Sequence, residues 1–273
     1  MKKLYLVDVS SFFFRAYYAI PPLNTASGLP TNALYGFLNM TVKLLRDIKP
    51  DYIAFCFDRK EPSFRFDLYP EYKANRSEMP EDLVPQVPYV KKLTDLLGIP
   101  RFDKEGYEAD DVIGSLVDFG RSKDLEVIIV SGDKDFAQMI GPFVSMYDTM
   151  KDNRYDVDAA VEKWGVRPDQ MIDYLALVGD SSDNIPGVRG VGPKGAQKLL
   201  AEFKTLEGIY ENIDKVPGKS TKAKLEEFQD MAYLSKELVT ICTDIDFGIS
   251  IDDLKLKKID QKALTETLLE LEF

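Results

Sequence analysis

Three short apolar runs, each leading into an aspartate, are the feature that most constrains the fold of this chain. They are KKLYLVD, DYIAFCFD and LEVIIVSGD, which end at Asp8, Asp58 and Asp133. Each run is continuous and rich in β-branched or aromatic residues, which is typical of strands covered on both faces of a parallel sheet. Apolar positions three and four residues apart predict helices between the runs, over residues 33–47, 87–97 and 109–119. The pattern therefore predicts an α/β fold with a mostly parallel central sheet flanked by helices.

Two other parts of the chain depart from this alternation. Residues 59–86 are polar, charged and punctuated by proline, which is typical of a long functional or mobile excursion. After about residue 168 the pattern becomes helical. It predicts an α/β core over residues 1–165 and a helical module with a C-terminal segment over residues 166–273. No apolar run is long enough for a membrane span, and the N-terminus is typical of a strand, not of a signal peptide.

Composition restricts the chemistry. The chain has no histidine, which excludes Ser-His-Asp and Cys-His catalysis, histidine bases and histidine-ligated zinc. Cys56 and Cys242 are expected to be free, buried thiols in a reducing cytoplasm. The net charge of −11 argues weakly against nucleic acid, because an acidic protein can still carry local basic patches. Catalysis must therefore use carboxylates, lysine, arginine, tyrosine or hard metal ions.

Acidic residues crowd the predicted carboxyl ends of the strands and two further segments, GYEADD and GDSSD. Ligands of open parallel sheets bind beyond the strand ends, so the strand-end aspartates are expected to converge. The spacing of Glu108 and Asp111 is expected to place both on one helical face. The candidate metal ligands are Asp8, Asp58, Glu108, Asp110, Asp111, Asp133, Asp135, Asp180 and Asp183.

Each of these acidic residues has an ordinary explanation as a turn former, a helix cap or a partner of the helix dipole. Their convergence on one edge, however, would be unstable without cations. Oxygen ligands without histidine or cysteine favour Mg²⁺ or Mn²⁺. Two such ions about 4 Å apart bind the attacking and leaving oxygens of a phosphodiester. The sequence therefore predicts metal-dependent phosphoryl hydrolysis with two or more ions.

Basic and glycine-rich segments predict contacts to phosphate. Lysine and arginine near a metal site bind phosphate or stabilise developing charge, and nearby aromatic rings stack on bases. Glycines before a helix allow the backbone to approach a phosphate at the helix N-terminus. The catalytic candidates are Lys73, Arg76 and Arg15, and the candidates for contacts to the phosphates or bases of a polymeric substrate are Tyr72, Arg65, Gly190, Gly192, Lys194 and Lys198. Two separate phosphate-binding elements indicate a long polymeric substrate.

These motifs resemble the 5′ nuclease (flap endonuclease) family. The resemblance runs through LVDVSS, SFFFRAYYA, FDRKEPSFR, YPEYKANR, GYEADDVIG, SGDKDFAQ and YLALVGDSSDNIPGVRGVGPKGAQKLL, and it covers essentially the whole chain. Within this family the sequence most resembles the 5′→3′ exonuclease region of bacterial DNA polymerase I. The family usually has glycine where this chain has Val9.

The resemblance implies a structure-specific nuclease that trims 5′ ends and removes 5′ flaps and RNA primers in replication and repair. It implies that the nine acidic residues form the metal cluster, and that Arg15, Tyr72, Lys73 and Arg76 act on the scissile phosphate and the threaded strand. Residues 59–86 would form the arch, and GVRGVGPKG a helix–hairpin–helix-type element that holds the duplex, with a K⁺ ion. The implied location is the bacterial cytoplasm at the nucleoid, and two arrangements stay open: a stand-alone enzyme, or a chain continuous with a polymerase region.

Two alternatives remain open on sequence alone. A non-cleaving module of the same fold would bind branched DNA, and Val9 is its sole support. A related metal-dependent ribonuclease or small phosphatase would account for the carboxylates. It would not account for the glycine–lysine segment or for the long excursion.

Overall fold

The three apolar runs form neighbouring strands of a six-stranded sheet in the computed structural model, which describes residues 1–273. The strands are β1 (Lys3–Asp8), β2 (Tyr52–Cys56), β3 (Arg101–Phe102), β4 (Glu126–Val130), β5 (Val144–Asp148) and β6 (Asn153–Tyr155). Their order is β3-β2-β1-β4-β5-β6, and every pair is parallel except β5 with β6. The prediction of a mostly parallel sheet is confirmed. β1 pairs with β2 on one side and with β4 on the other. The direction in which successive strands are added to the sheet therefore reverses at β1.

Twelve helices surround or extend this sheet. They are α1 (Val9–Ala19), α2 (Asn32–Ile48), α3 (Arg65–Leu68), α4 (Val87–Leu96), α5 (Ala109–Ser122), α6 (Val157–Trp164), α7 (Met171–Val178), α8 (Pro193–Phe203), α9 (Leu206–Glu211), α10 (Lys219–Glu227), α11 (Gln229–Val239) and α12 (Gln261–Glu270). Short 3₁₀ turns occupy Val84–Gln86, Lys134–Met139, Pro168–Gln170, Ile213–Lys215 and Ile251–Leu254. None of the helices has both the length and the apolar character needed to cross a membrane.

Strands β1, β2 and β4 are buried on both faces, as their continuous apolar sequences require. Leu4 and Leu6 of β1 join one buried cluster, which continues into the helical half of the chain. Tyr5 and Val7 point to the other face and join a second cluster with residues of α1, α2 and α4. Alternate residues of one strand thus enter two different cores, because successive side chains of a strand point to opposite faces.

Val9 occupies an ordinary helical position. Asp8 is the N-cap of α1, and its side chain accepts a hydrogen bond from the Ser11 backbone N–H. Val9 follows as the first helical residue, is 3% exposed and has a negative φ. This position therefore does not require glycine, and a β-branched residue fits it without strain.

The excursion over residues 59–86 is anchored to the rest of the fold at both ends and in its middle. Phe64 N donates to Gly106 O (3.0 Å), and Lys73 N donates to Asp183 O (2.9 Å). At its far end the fully buried Gln86 side chain accepts a hydrogen bond from Leu34 N. Apart from α3 and one 3₁₀ turn the segment has no regular structure, as its proline-rich sequence predicts.

The end of the chain returns to the α/β half. Lys257 N donates to Gly98 O (2.8 Å), Leu271 is buried in the second core cluster, and the Phe273 ring packs edge-on against Tyr35. The C-terminal segment of the region 166–273 thus packs on the core that residues 1–165 form. Both cysteines are free, but only Cys56 is buried and Cys242 is half-buried, so the prediction of two buried thiols is wrong for Cys242.

Candidate active site

Aspartates at the carboxyl ends of the parallel strands line one cavity. Asp8 ends β1, Asp148 ends β5, and Asp58 and Asp133 lie shortly after β2 and β4. The cavity has a volume of about 610 Å³. Nine carboxylates line it: Asp8, Asp58, Glu108, Asp110, Asp133, Asp135, Asp148, Asp180 and Asp183. Eight of the nine residues predicted as metal ligands thus meet at this edge of the sheet, and Asp111 does not.

Enclosure and mutual repulsion raise the pKa of several of these carboxyl groups. Burial, together with the charges of Asp58 and Asp133, raises the pKa of Asp8 from 3.8 to about 7. Burial and the charge of Asp133 likewise raise the pKa of Asp135 to about 7. The pKa of Asp110 lies well above its ordinary value for the same two reasons. The cavity therefore holds more negative charge than its protein surroundings compensate.

Lysines and arginines neutralise part of this charge. Lys73 Nζ lies 2.6 Å from Glu108 Oε1 and 3.7 Å from Asp183 Oδ2, and Arg76 pairs with Asp183. Lys134 Nζ lies 2.5 Å from Asp180 Oδ2 and 3.3 Å from Asp135 Oδ1. Burial opposes ionisation of Asp180, but Lys134 outweighs it and lowers the pKa of that carboxyl. The predicted catalytic residues Lys73, Arg76 and Arg15 all line the cavity.

The chemistry of the donor set fits hard divalent cations. All candidate ligands are carboxylate oxygens, which suit Mg²⁺ and Mn²⁺. Asp135 Oδ1 is buried and accepts no hydrogen bond, and its nearest cationic group is the Lys134 ammonium at 3.3 Å. As the side chains are placed, no three carboxylates or thiols close around a single point. Several of the carboxylates instead face the side-chain cations.

The predictions for Asp111 and Arg65 are wrong. Asp111 is fully buried and receives two hydrogen bonds from Arg65, at 2.7 and 2.8 Å. It also accepts from the backbone N–H groups of Glu108 and Cys242. Arg65 is 2% exposed and donates further to Leu238 O, so it does not reach a DNA surface. Asp111 caps the start of α5 by accepting from the Glu108 N–H, and Arg65 Nη1 contacts both carboxylates. Glu108 and Asp111 therefore lie on the same side of the helix start, as the spacing predicts, although only Glu108 lines the cavity.

Tyr72 is also placed differently from the prediction. It is 3% exposed, and its ring packs edge-on against Phe66. Its hydroxyl donates to Glu108 Oε2 (2.9 Å), with Asp183 Oδ2 3.2 Å away. The prediction of a DNA contact is therefore wrong for this ring, which cannot stack on a base. Tyr72 instead positions two of the carboxylates that line the cavity.

The glycine–lysine segment lies outside the cavity, between α7 and α8. Gly190 has φ +88°, in the left-handed region that favours glycine, whereas Gly192 has φ −91° and is the N-cap of α8. Lys194 and Lys198 are exposed one turn apart on α8. The preceding loop closes through hydrogen bonds between the backbones of Asp180 and Ile185 and carries Asp180 and Asp183 into the cavity.

Sequence reasoning missed several residues of the cavity wall. Asp148 follows the apolar segment VSMY, just as Asp8 follows the first run, but the buried residues of β5 alternate with partly exposed ones. Lys134 lies between Asp133 and Asp135 in SGDKD. A basic residue flanked by two candidate metal ligands is a signal that predicts its place in the cavity wall. Met150 and Lys151 also line the wall. No spacing rule indicated them, because they lie in the turn between β5 and β6.

Comparison with known proteins identifies the family. A family model described as 5′-3′ exonuclease, N-terminal resolvase-like domain, matches residues 3–165. A second, described as 5′-3′ exonuclease, C-terminal SAM fold, matches residues 166–262. The chain belongs to the 5′-3′ exonuclease family. This membership confirms the resemblance that the motifs indicated.

Individual members of the 5′-3′ exonuclease family are similar over the whole chain. A 5′-3′ exonuclease of Aquifex aeolicus is 41% identical, covering 100% of this chain and 93% of that protein. DNA polymerase I of Caldicellulosiruptor bescii is 45% identical over 99% of this chain but only 32% of its own length. The chain thus spans about a third of the polymerase relatives. A solved T5 5′-exonuclease with bound zinc shares the fold, with a TM-score of 0.75, 24% identity and full coverage of both chains.

Proposed function

We propose that this chain is a Mg²⁺- or Mn²⁺-dependent, structure-specific 5′ nuclease, acting as a 5′→3′ exonuclease and a 5′-flap endonuclease. The observation that carries the proposal is the cavity at the strand ends. It combines nine carboxylates, raised pKa values at Asp8, Asp110 and Asp135, and the cations Arg15, Lys73 and Arg76. Excess carboxylate next to basic groups suits a site that takes up metal ions and a phosphodiester together.

Eight carboxylates are the proposed ligands of two or more ions: Asp8, Asp58, Glu108, Asp110, Asp133, Asp135, Asp180 and Asp183. Bound ions would supply a nucleophilic water and stabilise the leaving oxygen of the phosphodiester. Membership of the 5′-3′ exonuclease family and the divalent metal ions named for the related T5 structures support this assignment.

The basic residues of the cavity bind and orient the phosphate. Lys73 and Arg76 lie in the excursion over residues 59–86, and Arg15 lies on α1, the helix that Asp8 caps. The Arg76 side chain is 53% exposed, so it can leave Asp183 for a phosphate. A guanidinium binds two phosphate oxygens at once, whereas an ammonium acts as a point charge. We infer that the three residues share the negative charge that develops on the scissile phosphate.

A second contact lies at the exposed glycine–lysine segment. Gly192 leaves open space for a phosphate backbone at the start of α8, and the Lys224 side chain lies against Gly190. Lys194 and Lys198 add positive charge. We propose that this segment binds the duplex and that a K⁺ ion joins the contact. Residues 59–86 are the proposed passage for the 5′ strand. Related structures named as complexes with DNA support a DNA partner.

The substrates and setting follow from the same relatives. We propose DNA with 5′ flaps, nicks or 5′ ends, and RNA primers, as the substrates in bacterial replication and repair. The polymerase relatives support covalent continuity with a polymerase region, and the proposed location is the cytoplasm at the nucleoid. The alternative of a non-cleaving module loses its support, because Val9 occupies a regular helical position.

A labelled 5′-flap DNA tests the proposal. Asp133→Asn removes one charge from the cavity but keeps an oxygen that can accept from Asp135 N, as Asp133 does. We expect this variant to bind the flap and to lose cleavage in Mg²⁺. The matched control is Asp158→Asn, since Asp158 is exposed on α6 and outside the cavity.

Three outcomes would count against the proposal. Undiminished cleavage by Asp133→Asn would remove the carboxylate cavity from the mechanism. Absence of cleavage by the unaltered protein in Mg²⁺ or Mn²⁺ would favour the binding module. Faster cleavage of single-stranded RNA than of flap DNA would favour a ribonuclease.

A further inference from the structure

The turn between β5 and β6 contributes an unassigned part of the cavity wall. Asp148, Met150 and Lys151 line the cavity, yet the family motifs and the spacing of carboxylates assign them no role. Met150 is 64% exposed, which leaves a large apolar side chain at the edge of a highly charged site. Lys151 is exposed and has no carboxylate within 4.0 Å of its ammonium group, unlike Lys73 and Lys134.

Asp148 fixes the shape of this turn. Its carboxyl group is 3% exposed, and one oxygen accepts hydrogen bonds from Met150 N (2.9 Å) and Lys151 N (3.4 Å). A second contact, from the Tyr147 hydroxyl to Asp152 Oδ1 (2.8 Å), spans the turn. An aspartate that accepts the N–H groups two and three residues ahead is a standard way to close a tight turn. The tip is therefore held in one shape despite its exposure.

The turn is also tied to a catalytic candidate. Arg15 Nη1 donates to Thr149 Oγ1 at 2.8 Å, and the charge of Asp148 acts on the Arg15 guanidinium. The same segment thus places Met150 and Lys151 at the cavity and supports Arg15, which also lines it. An unpaired ammonium suits a phosphate, and a flexible thioether suits the apolar face of a sugar or base.

We propose that the turn Asp148–Asp152 is a further substrate-binding element, an inference that rests on the proposed nuclease function. Lys151 binds a backbone phosphate of the strand in the cavity, and Met150 packs against the neighbouring sugar or base. Asp148 is the positioning residue of the turn, since it holds the backbone of both.

Flap binding at several salt concentrations tests the proposal. The unaltered protein is first shown to cut the flap in Mg²⁺, and binding is then measured in the Asp133→Asn background, where the DNA stays intact. We expect Lys151→Ala to weaken binding about tenfold and to lower the slope of log affinity against log salt by about 1, the loss of one phosphate contact. Lys43→Ala, which removes an exposed charge from α2 outside the cavity, is the matched control.

Two further variants separate the roles within the turn. Met150→Ala is expected to weaken binding several-fold without changing the salt slope, because it removes no charge. Asp148→Ala is expected to weaken binding as Lys151→Ala does, and Asp148→Asn, which keeps the accepting oxygen, to restore it. Equal weakening by both Asp148 variants would overturn its positioning role.

The proposal for the turn and the proposed function fail in different ways. If the unaltered protein cuts flaps but Lys151→Ala matches Lys43→Ala in affinity and slope, the turn is not a binding element. If the unaltered protein does not cut, the proposed function fails first.

Discussion

At the scale of single residues, Lys73 shows how closely the excursion is bound to the cavity. Its φ of +56° lies in the left-handed region, which is costly for a residue with a side chain. Its backbone N–H donates to Asp183 O, and its ammonium group contacts Glu108. Backbone strain that surrounding contacts maintain is common at functional sites. The strain here holds the ammonium group among the proposed metal ligands.

Lys73→Ala is therefore expected to slow the single-turnover cleavage of a 5′ flap by about a hundredfold to a thousandfold, the typical effect of losing one group that stabilises transition-state charge. Flap affinity is expected to change much less. Lys43→Ala serves as the control for loss of a positive charge. An unchanged single-turnover rate would remove Lys73 from the catalytic residues.

At the scale of elements, continuous apolar runs correctly predicted β1, β2 and β4, and spacing predicted α2, α4 and α5. The search for continuous apolar runs did not reveal β5, whose residues alternate between buried and partly exposed, or β3 and β6, which have only 2 and 3 residues. Asp111 was misassigned for a physical reason. Acidic residues that bind a metal and those that cap a helix look alike in sequence, and only the buried partner Arg65 distinguishes them.

Arg65 links three elements through buried polar contacts. It joins α3 to Asp111 on α5 and to Leu238 O at the end of α11. Arg65→Ala is expected to destabilise the protein by about 3–5 kcal/mol, because it leaves a buried carboxylate without its partner. Chemical denaturation measures this loss. The double variant Arg65→Met/Asp111→Leu is expected to recover part of it, since no charge then remains buried.

A different result would identify Arg65 as a DNA contact. If Arg65→Ala kept its stability and instead lowered the salt dependence of flap binding, Arg65 would be a DNA contact after all. Loss of stability with an unchanged salt slope fits the buried ion pair.

At the scale of the whole molecule, the net charge of −11 is unevenly distributed, and the cavity accounts for part of it, with nine carboxylates against five basic residues. Nine carboxylates line one cavity, whereas Lys194 and Lys198 lie exposed at a separate segment. The negative net charge therefore does not indicate the local charge of the surfaces that are proposed to bind phosphate. The return of the last segment to the α/β half was also beyond sequence reasoning. It depends on backbone contacts such as Lys257 N to Gly98 O, which no side-chain pattern encodes.

The charge crowded into the cavity makes the stability of the whole molecule depend on divalent cations. Ions that bind only the folded state raise stability, by about 2.7 kcal/mol when their concentration is a hundred times the dissociation constant. Mg²⁺ is therefore expected to raise the Tm above that in EDTA with NaCl at equal ionic strength. Asp135→Asn is expected to reduce this gain, and Asp158→Asn to leave it unchanged.

The gain from Mg²⁺ is also expected to grow with pH. In the metal-free protein the pKa values of Asp8 and Asp135 are raised to about 7. The stability that a raised carboxyl pKa contributes is fully present below its unfolded value, about 4, and is lost as pH rises through about 7. The metal-free protein thus loses stability between pH 5 and pH 8. Over the same range Mg²⁺ competes with fewer protons for the carboxylates of Asp8 and Asp135. Thermal unfolding with and without Mg²⁺ at both pH values measures the difference, and an equal gain at both would show that these carboxyl groups do not bind the ion.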